Sequence, residues 1–196
     1  MVQFPQEHMW YDAESLHITS ESGTAGEVSQ IQVPCDIDTI PVFQRGGSII
    51  PRKLRLRRSS HLMQSDPYTL FVALDQHNSS TGELYMDDES TFNHIRKSEY
   101  ALATFSASFN SDGGSLHNAV LLGDGWSKGS VIEKLAPTRR VERIVVMGLG
   151  TVPASVDIEG GYTLGFTYDS HAKVLTIRKP DVSALKDWKI TITFEK

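Results

Sequence analysis

The sequence of 196 residues contains a single cysteine, Cys35. One thiol cannot form a disulfide within the chain, and it cannot supply the sulfur ligands of a cysteine-rich zinc site. The seven histidines are scattered without the paired spacing that metal ligands usually show. We therefore expect no metal centre and no cofactor, while cysteine usage leaves the redox compartment open.

Long apolar runs are also missing. No stretch approaches the roughly 20 residues that a helix needs to cross a bilayer, and residues Met1 to Pro5 lack the charged and then apolar order of a signal peptide. The net charge of −5 and the pI near 5.8 provide no general attraction to nucleic acid or to an anionic membrane. We expect neither as a partner, and we expect either a cytosolic protein or part of an exported parent.

The 3.6-residue apolar period of an amphipathic helix is absent as well, so the sequence predicts an all-β fold. Short segments rich in β-branched and aromatic residues recur instead, and glycine and asparagine clusters separate most of them. The predicted strands after residue 65 are Tyr68–Leu74, Gly82–Met86, Tyr100–Phe109, Leu116–Leu122, Val131–Leu135, Val141–Met147, Ala154–Ile158, Tyr162–Tyr168, Val174–Arg178 and Trp188–Phe194.

The polar segment from Ser59 to Pro67 marks the predicted domain boundary. We expect two β-sandwich-like units: an incomplete proximal unit at residues 1–65 and a distal sandwich at residues 66–196. The distal unit would have an ordinary domain length.

The stretch from Ile40 to Arg52 places two apolar runs on either side of Gly46 and Gly47. The glycine pair permits a tight corner with backbone angles closed to other residues. We expect Val42, Phe43, Ile49 and Ile50 to lie in the core, and we expect Arg45 to stand exposed at the lip of the turn.

Two further motifs are weaker. Lys53, Arg55 and Arg57 alternate with Leu54 and Leu56, which predicts a strand with a solvated basic face. An anion or polysaccharide site is the alternative for that run. Asn78-Ser-Ser80 is an acceptor sequon for N-glycosylation in a polar turn, relevant only if the chain enters the secretory pathway.

The acidic run Asp87-Asp88-Glu89 invites a comparison with glycosidases, which use two carboxylates on either side of a glycosidic bond. Adjacent residues on a strand face opposite ways, so Asp87 and Asp88 alone cannot form that pair. The favoured interpretation is a local turn-capping role, with a calcium site as the alternative. Gly125-Trp-Ser-Lys-Gly129 matches a nucleophile elbow by letter only, because no following helix is predicted.

Six ordered blocks together resemble the C-terminal end of family 31 glycoside hydrolases, and within that family its neutral α-glucosidase branch. The resemblance extends from the first residues to the last strand. Its blocks are Trp10–Asp12, Ile40–Arg52, Arg57–Ser60, Asp66–Leu74, Gly82–Asp88 and Leu175–Pro180.

The resemblance implies that a (β/α)₈ barrel outside these residues carries the chemistry and that this region forms the two β-sandwiches behind it. The family's nucleophile motif, Trp-x-Asp-Met-Asn-Glu, is absent from the sequence, so no residue here is assigned as catalytic. The implied parent is a retaining enzyme that removes α-1,3-linked glucose from N-glycans in the endoplasmic reticulum without a metal. The implied partner is a non-catalytic β subunit.

One departure from the family pattern concerns Glu89. The family usually has glycine after the two aspartates, and glycine can supply a positive φ. The leading hypothesis remains a C-terminal fragment of an α-glucosidase that is inactive alone. The alternative is a free-standing carbohydrate-binding β-sandwich that uses Trp10, Tyr11 and Arg45.

Overall fold

The structure, a computed structural model, describes residues 1–127, 130, 133–134 and 136–195. Strands dominate these ranges, as the sequence predicts, so the fold class is all-β. The strands are β1 (Val2–Pro5), β2 (Trp10–Asp12), β3 (Ile18–Ser20), β4 (Val28–Ile31), β5 (Phe43–Arg45), β6 (Ser48–Arg52), β7 (Tyr68–Ala73), β8 (Ser79–Met86), β9 (Ala101–Phe109), β10 (Gly113–Leu122), β11 (Arg140–Met147), β12 (Pro153–Ile158), β13 (Phe166–Asp169), β14 (Val174–Ser183) and β15 (Trp188–Phe194).

Helical structure in the described ranges is short. It includes the helix α1 (Asn93–Arg96) and two 3-10 turns, Ser60–Met63 and Ala136–Thr138. Every helix formed by the described residues is too short to reach across a membrane.

Ten strands form one hydrogen-bonded sheet in the order β12-β15-β10-β9-β8-β6-β7-β11-β14-β13. Large sheets of this kind must twist and curl rather than stay flat. Strands from both ends of the order contribute to a single core cluster, which includes Phe105, Leu116, Ile144, Val156, Ile177 and Ile190. The sheet therefore curls around one apolar interior.

A smaller three-stranded sheet, β3-β2-β5, lies against the outer face of β7, β11 and β14. Its Tyr11 packs in a second cluster with Phe71, Val145 and Met147. Strand β7 is consequently buried on both faces, because its five apolar residues alternate between the two clusters and Thr69 is buried as well. The strand predicted for Tyr68–Leu74 is therefore present, and it is a central strand of the sheet.

The division into units at residues 65 and 66 stays a prediction. Strand β6 lies before that boundary, yet it pairs with β7 over five residues and meets β8 at Ser48 and Thr81. The boundary therefore crosses the ten-stranded sheet rather than separating two sheets.

Most predicted strands are present, with shifted ends. Strand β15 occupies the predicted range, and its Ile190, Ile192 and Phe194 are buried whereas Thr191 and Thr193 are exposed. Strand β14 continues five residues beyond Arg178, and β13 begins at Phe166 rather than at Tyr162. The strand predicted for residues 131–135 lies largely outside the described residues.

The basic segment after Arg52 is not a strand, which corrects the prediction. Leu54 and Leu56 are exposed, by 47% and 100%, so they do not form the apolar face of a strand. Lys53, Arg55 and Arg57 instead each contact an acidic residue elsewhere in the fold.

Candidate functional site

The Gly46-Gly47 corner joins β5 of the small sheet to β6 of the large sheet. Gly47 has a φ of +83°, and a Cβ on Gly46 would lie 2.9 Å from the carbonyl oxygen of Leu74. The amide of Gly46 also donates a hydrogen bond of 2.7 Å to the Met9 carbonyl. Both glycines are therefore required where the chain passes from one sheet to the other.

The residues around this corner divide between core and surface. Ile49 is buried, whereas Val42 and Ile50 are 57% and 41% exposed. The prediction that all four apolar residues are core is wrong for those two, because side chains alternate across β6 and Val42 precedes β5. Phe43 is half-buried and packs edge-on against Phe4 at 4.8 Å between ring centroids.

Arg45 is exposed, and its backbone pairs with Trp10 of β2. Tyr11, the neighbour of Trp10, is completely buried, and its hydroxyl donates a hydrogen bond of 2.7 Å to the Leu74 carbonyl. Burial raises the pKa of the Tyr11 hydroxyl far above its ordinary value. Tyr11 is thus a core residue that no sugar can reach, which removes one of the three side chains expected of a carbohydrate-binding surface.

The acidic turn follows β8, and its carboxylates are occupied by neighbouring groups. Oδ1 of Asp88 accepts hydrogen bonds from the amides of Ser90 and Thr91 at 3.1 and 2.9 Å, and Oδ2 accepts one from the Thr91 hydroxyl at 2.6 Å. Desolvation opposes ionisation of Asp88, but these hydrogen bonds outweigh it, so the pKa of that carboxyl lies below its ordinary value. Asp87 accepts a hydrogen bond of 2.8 Å from the Glu89 amide.

Glu89, the third acidic residue, adopts a φ of +55° and points toward Arg139. Its Oε1 accepts a hydrogen bond of 2.9 Å from Nη2 of Arg139, which is completely buried. Arg139 also donates to the Gln64 carbonyl through Nη1, and its Nε has no hydrogen-bond partner among the described residues. The carboxylate of Glu89 is the anionic partner that the buried Arg139 needs, since an isolated charge is costly to desolvate.

The basic segment supplies further ion pairs beside this turn. Arg57 binds Asp66 through two hydrogen bonds of 3.0 and 2.7 Å. Arg55 lies 3.0 Å from a carboxylate oxygen of Glu142. Hydrogen bonding from Arg57 lowers the pKa of Asp66, although desolvation opposes the shift. The sequence alone indicated a solvated basic face, and the long-range partners of these cations could not be found from a local pattern.

Lys53 completes the cluster. Its Nζ lies 3.9 Å from Glu89 and 5.0 Å from the centre of the Tyr68 ring. Desolvation lowers the pKa of Lys53, and the nearby Arg139 adds to this effect. The acidic turn and the basic segment therefore form one network that holds the loop structure in place.

Asn78 lies in the turn between β7 and β8, with an exposed side chain and a φ of +54°. Oδ1 of Asp75 accepts hydrogen bonds of 2.9 Å from the amides of His77 and Ser79, which fixes the turn. Ser80, the third residue of the sequon, is buried, and its hydroxyl has no hydrogen-bond partner among the described residues.

No opposed pair of free carboxylates emerges from the predicted site residues, and the described part of the chain contains no group of three or more side chains suited to a metal ion. Of the elbow-like motif, Trp126 packs against the main core, while residues 128 and 129 lie outside the described ranges. The sequence analysis did not predict the buried ion pair of Arg139, because an arginine rarely occupies a core position.

Comparison with known proteins identifies relatives of this chain. Neutral α-glucosidase AB of Mus musculus is 38% identical over 189 residues, which is 94% of this chain and 18% of that protein. The Dictyostelium discoideum protein of the same name is also 38% identical, over 186 residues. A probable glucan 1,3-α-glucosidase of Arabidopsis thaliana is 33% identical over 97% of the chain.

This chain belongs to glycoside hydrolase family 31. It spans only about a fifth of the length of the curated relatives that it matches. No family model matches the chain.

Solved structures of the same family have the same fold. The Tris-bound glucosidase II α subunit superimposes with a TM-score of 0.77 at 29% identity, and it covers 99% of this chain, which corresponds to 21% of that subunit. A Flavobacterium johnsoniae family 31 dextranase superimposes with a TM-score of 0.67 at 16% identity, a likeness of fold alone.

Proposed function

We propose that this chain is the non-catalytic, C-terminal β portion of an α-glucosidase, an O-glycosyl hydrolase whose parent removes terminal α-1,3-linked glucose from N-glycans. The observation that carries the proposal is the unequal coverage of the alignments. Nearly the whole chain matches the neutral α-glucosidases, whereas four fifths of each of those proteins has no counterpart here.

The chemistry of the acidic turn supports a non-catalytic role. A retaining glycosidase holds two carboxylates about 5 to 5.5 Å apart across the scissile bond. Asp87 and Asp88 accept hydrogen bonds from their own turn, and Glu89 is paired with Arg139. None of these three is free to act as a nucleophile or as a general acid.

The distribution of exposed apolar side chains supports a missing neighbour. Among the described residues, nine of the sixteen exposed large hydrophobic side chains belong to the first 65 residues. Ile37 and Leu56 are fully exposed, and Ile40 is 85% exposed. We propose that the (β/α)₈ catalytic domain of the parent covers these apolar side chains. Arg45 is exposed as well, and the same domain would cover it.

The partners and the location follow from the same proposal. One structural relative is the endoplasmic reticulum glucosidase II heterodimer of a catalytic subunit with the binding domain of a regulatory subunit. By this likeness, the parent would act in the lumen of the endoplasmic reticulum, would bind a glucosidase II β subunit as its regulatory partner, and would contact carbohydrate through its catalytic domain. No cofactor is needed for glycoside hydrolysis by two carboxylates.

A chimaera tests the supporting role. The matching fifth of mouse neutral α-glucosidase AB is replaced by this chain, and hydrolysis of a chromogenic α-glucoside is compared with that of the mouse protein lacking the region. We expect the chimaera to be active and both the truncated protein and the isolated chain to be inactive. Equal activity of chimaera and truncated protein would remove the supporting role.

Two results on the isolated chain would contradict the proposal. Turnover of the α-glucoside above the blank would show that the chain has catalytic groups of its own. Saturable binding of malto- or nigero-oligosaccharides, followed by tryptophan fluorescence, would favour the free-standing carbohydrate-binding module instead.

A further inference from the structure

Strand register brings three arginines that are distant in sequence into one line across the large sheet. Arg52 of β6 pairs with Thr69 of β7, Thr69 pairs with Arg143 of β11, and Arg143 pairs with Arg178 of β14. All three arginines are exposed. Arg143 and Arg178 face outward because the next residues along, Ile144 in β11 and Ile177 in β14, are both fully buried in the main core.

The pairing of Arg143 with Arg178 is electrostatically unfavourable by itself. Directly opposite residues of antiparallel strands have Cβ atoms about 5 Å apart, and like charges there destabilise the sheet. Lys179, with a φ of +48°, adds a third cation next to Arg178. The ion pairs formed by the described residues include none of these three cations.

A cleft of about 500 Å³ is lined by Arg143, Arg178 and Lys179. Glu142, Thr167 and Thr176 complete its lining. Glu142 does not neutralise the three cations, because Arg55 holds its carboxylate at 3.0 Å. Thr167 of β13 and Thr176 of β14 are direct cross-strand partners, so their hydroxyls lie on the same side of the sheet as Arg178. The cleft therefore combines three cations with two hydroxyl donors.

We propose that this cleft binds a tetrahedral oxyanion, such as the phosphate or sulfate group of a small ligand. Arginine presents several N–H donors in a planar fork that matches phosphate geometry. A tetrahedral oxyanion offers enough oxygen atoms to accept from both forks and from a hydroxyl at once, whereas a carboxylate offers only two. Binding would also remove the repulsion between the two guanidinium groups. The site does not involve any residue of the acidic turn or of the glycine corner.

Titration of the purified chain with inorganic phosphate and with sulfate, at constant ionic strength maintained by chloride, tests the proposal. Isothermal titration calorimetry reports affinity, and thermal unfolding reports the stabilisation expected from a ligand that binds the folded state. We expect saturable binding of at least one of the two anions. Comparison of phosphate with sulfate identifies which chemical source the cleft prefers.

Substitutions locate the site. Arg143→Gln and Arg178→Gln should each weaken binding by about tenfold, since each removes a charge-assisted pair of hydrogen bonds. Arg178→Lys keeps the charge and loses the fork, so it should retain part of the affinity. Arg58→Gln is the matched control, because Arg58 is exposed and does not line the cleft. The affinity of this variant for the anion should be unchanged.

Three outcomes would overturn the proposal. The first is a response to phosphate and sulfate that chloride reproduces in full. The second is a loss of affinity in Arg58→Gln as large as that in Arg143→Gln, which would indicate general charge screening. The third is binding of a hexaglutamate peptide without binding of either inorganic anion, which would indicate that the cleft binds an acidic protein partner. Circular dichroism of each variant confirms that loss of binding does not reflect loss of fold.

Discussion

Nη2 of Arg139 donates a 2.9 Å hydrogen bond to Oε1 of Glu89, and this contact joins a completely buried guanidinium to a residue in left-handed conformation. The resemblance to family 31 implies glycine where Glu89 stands. Glycine would adopt the φ of +55° without strain, but it would leave Arg139 without its carboxylate. The strained backbone of Glu89 is therefore offset by the partner that it provides.

A double-mutant cycle measures this relationship. Glu89→Gly should destabilise the chain when Arg139 is present, since a buried cation loses its partner. In an Arg139→Met background the same change should be neutral or stabilising, because the backbone strain disappears at no electrostatic cost. We expect a coupling energy of about 1 kcal/mol, which is small because Glu89 is 42% exposed. Urea unfolding of the four proteins measures it.

Lys53 supplies the control for that cycle, since it also approaches Glu89 but at 3.9 Å. The Lys53→Met change should couple to Glu89→Gly more weakly than Arg139→Met does. Additive effects of the Glu89 and Arg139 changes would show that the hydrogen bond does not compensate for the strain.

The stability of the chain should fall in acid, and Asp66 should contribute to the loss. Hydrogen bonding from Arg57 lowers the folded-state pKa of Asp66 from its ordinary value of 3.8. The unfolded chain therefore takes up the proton first as the pH falls, so the stabilisation present above pH 3.8 is lost as the pH passes down through the folded-state pKa. Urea unfolding between pH 7 and roughly pH 2.5 measures this.

Asp66→Asn should lower the free energy of unfolding at pH 7 and should reduce its dependence on pH in that acidic range. Asp38→Asn is the control, because Asp38 is an exposed loop residue without a hydrogen bond or ion pair to the described residues. If both variants follow the parent's pH profile, the Arg57–Asp66 pair contributes nothing to acid sensitivity.

Gly46→Ala should destabilise the fold by about 1–3 kcal/mol, because its Cβ would meet the Leu74 carbonyl oxygen at 2.9 Å. That oxygen belongs to the backbone and already accepts the Tyr11 hydroxyl, so it cannot move freely. Gly150→Ala is the matched control, since nothing lies within 4 Å of its Cβ position, and it should change stability by less than about 0.5 kcal/mol. Similar midpoints of chemical unfolding for the two variants would contradict the required role of the corner.

Asn78 should carry an N-linked oligosaccharide when the chain is directed into the secretory pathway by an added signal sequence. Its amide nitrogen would form a bond to the anomeric carbon of a lipid-pyrophosphate-linked oligosaccharide, with loss of one amide proton and departure of the lipid pyrophosphate. Because Ser80 is buried in the folded chain, we expect modification to precede folding of β8. A mobility shift removed by an amide-cleaving glycosidase measures it.

Substitutions assign that shift to the sequon. Asn78→Gln and Ser80→Ala should each abolish it, whereas Ser79→Ala keeps the sequon and should retain it. Addition of the modifying enzyme to the folded chain should give no shift. A shift that persists in Asn78→Gln would place the modification elsewhere.

The sequence determined the fold class because strand signals are local. Two-residue alternation in β15 and the doubly apolar run of β7 predict their burial directly, since each pattern reflects the faces that a strand presents. The Gly46-Gly47 corner is predicted by the sequence in the same way, because a glycine pair between two apolar runs is typical of a tight turn. The resemblance to family 31 rests on the order of six sequence blocks, and the comparisons with known proteins support it.

Tertiary structure alone decided what the charged residues do. Arg57 meets Asp66 nine positions away, Arg55 meets Glu142 87 positions away, and Arg139 meets Glu89 50 positions away. No two-residue strand period encodes these partners. The outward arginine row likewise exists only because the order of strands places β6, β7, β11 and β14 side by side. Burial patterns follow from the chain itself, whereas charge partners follow from which strands become neighbours.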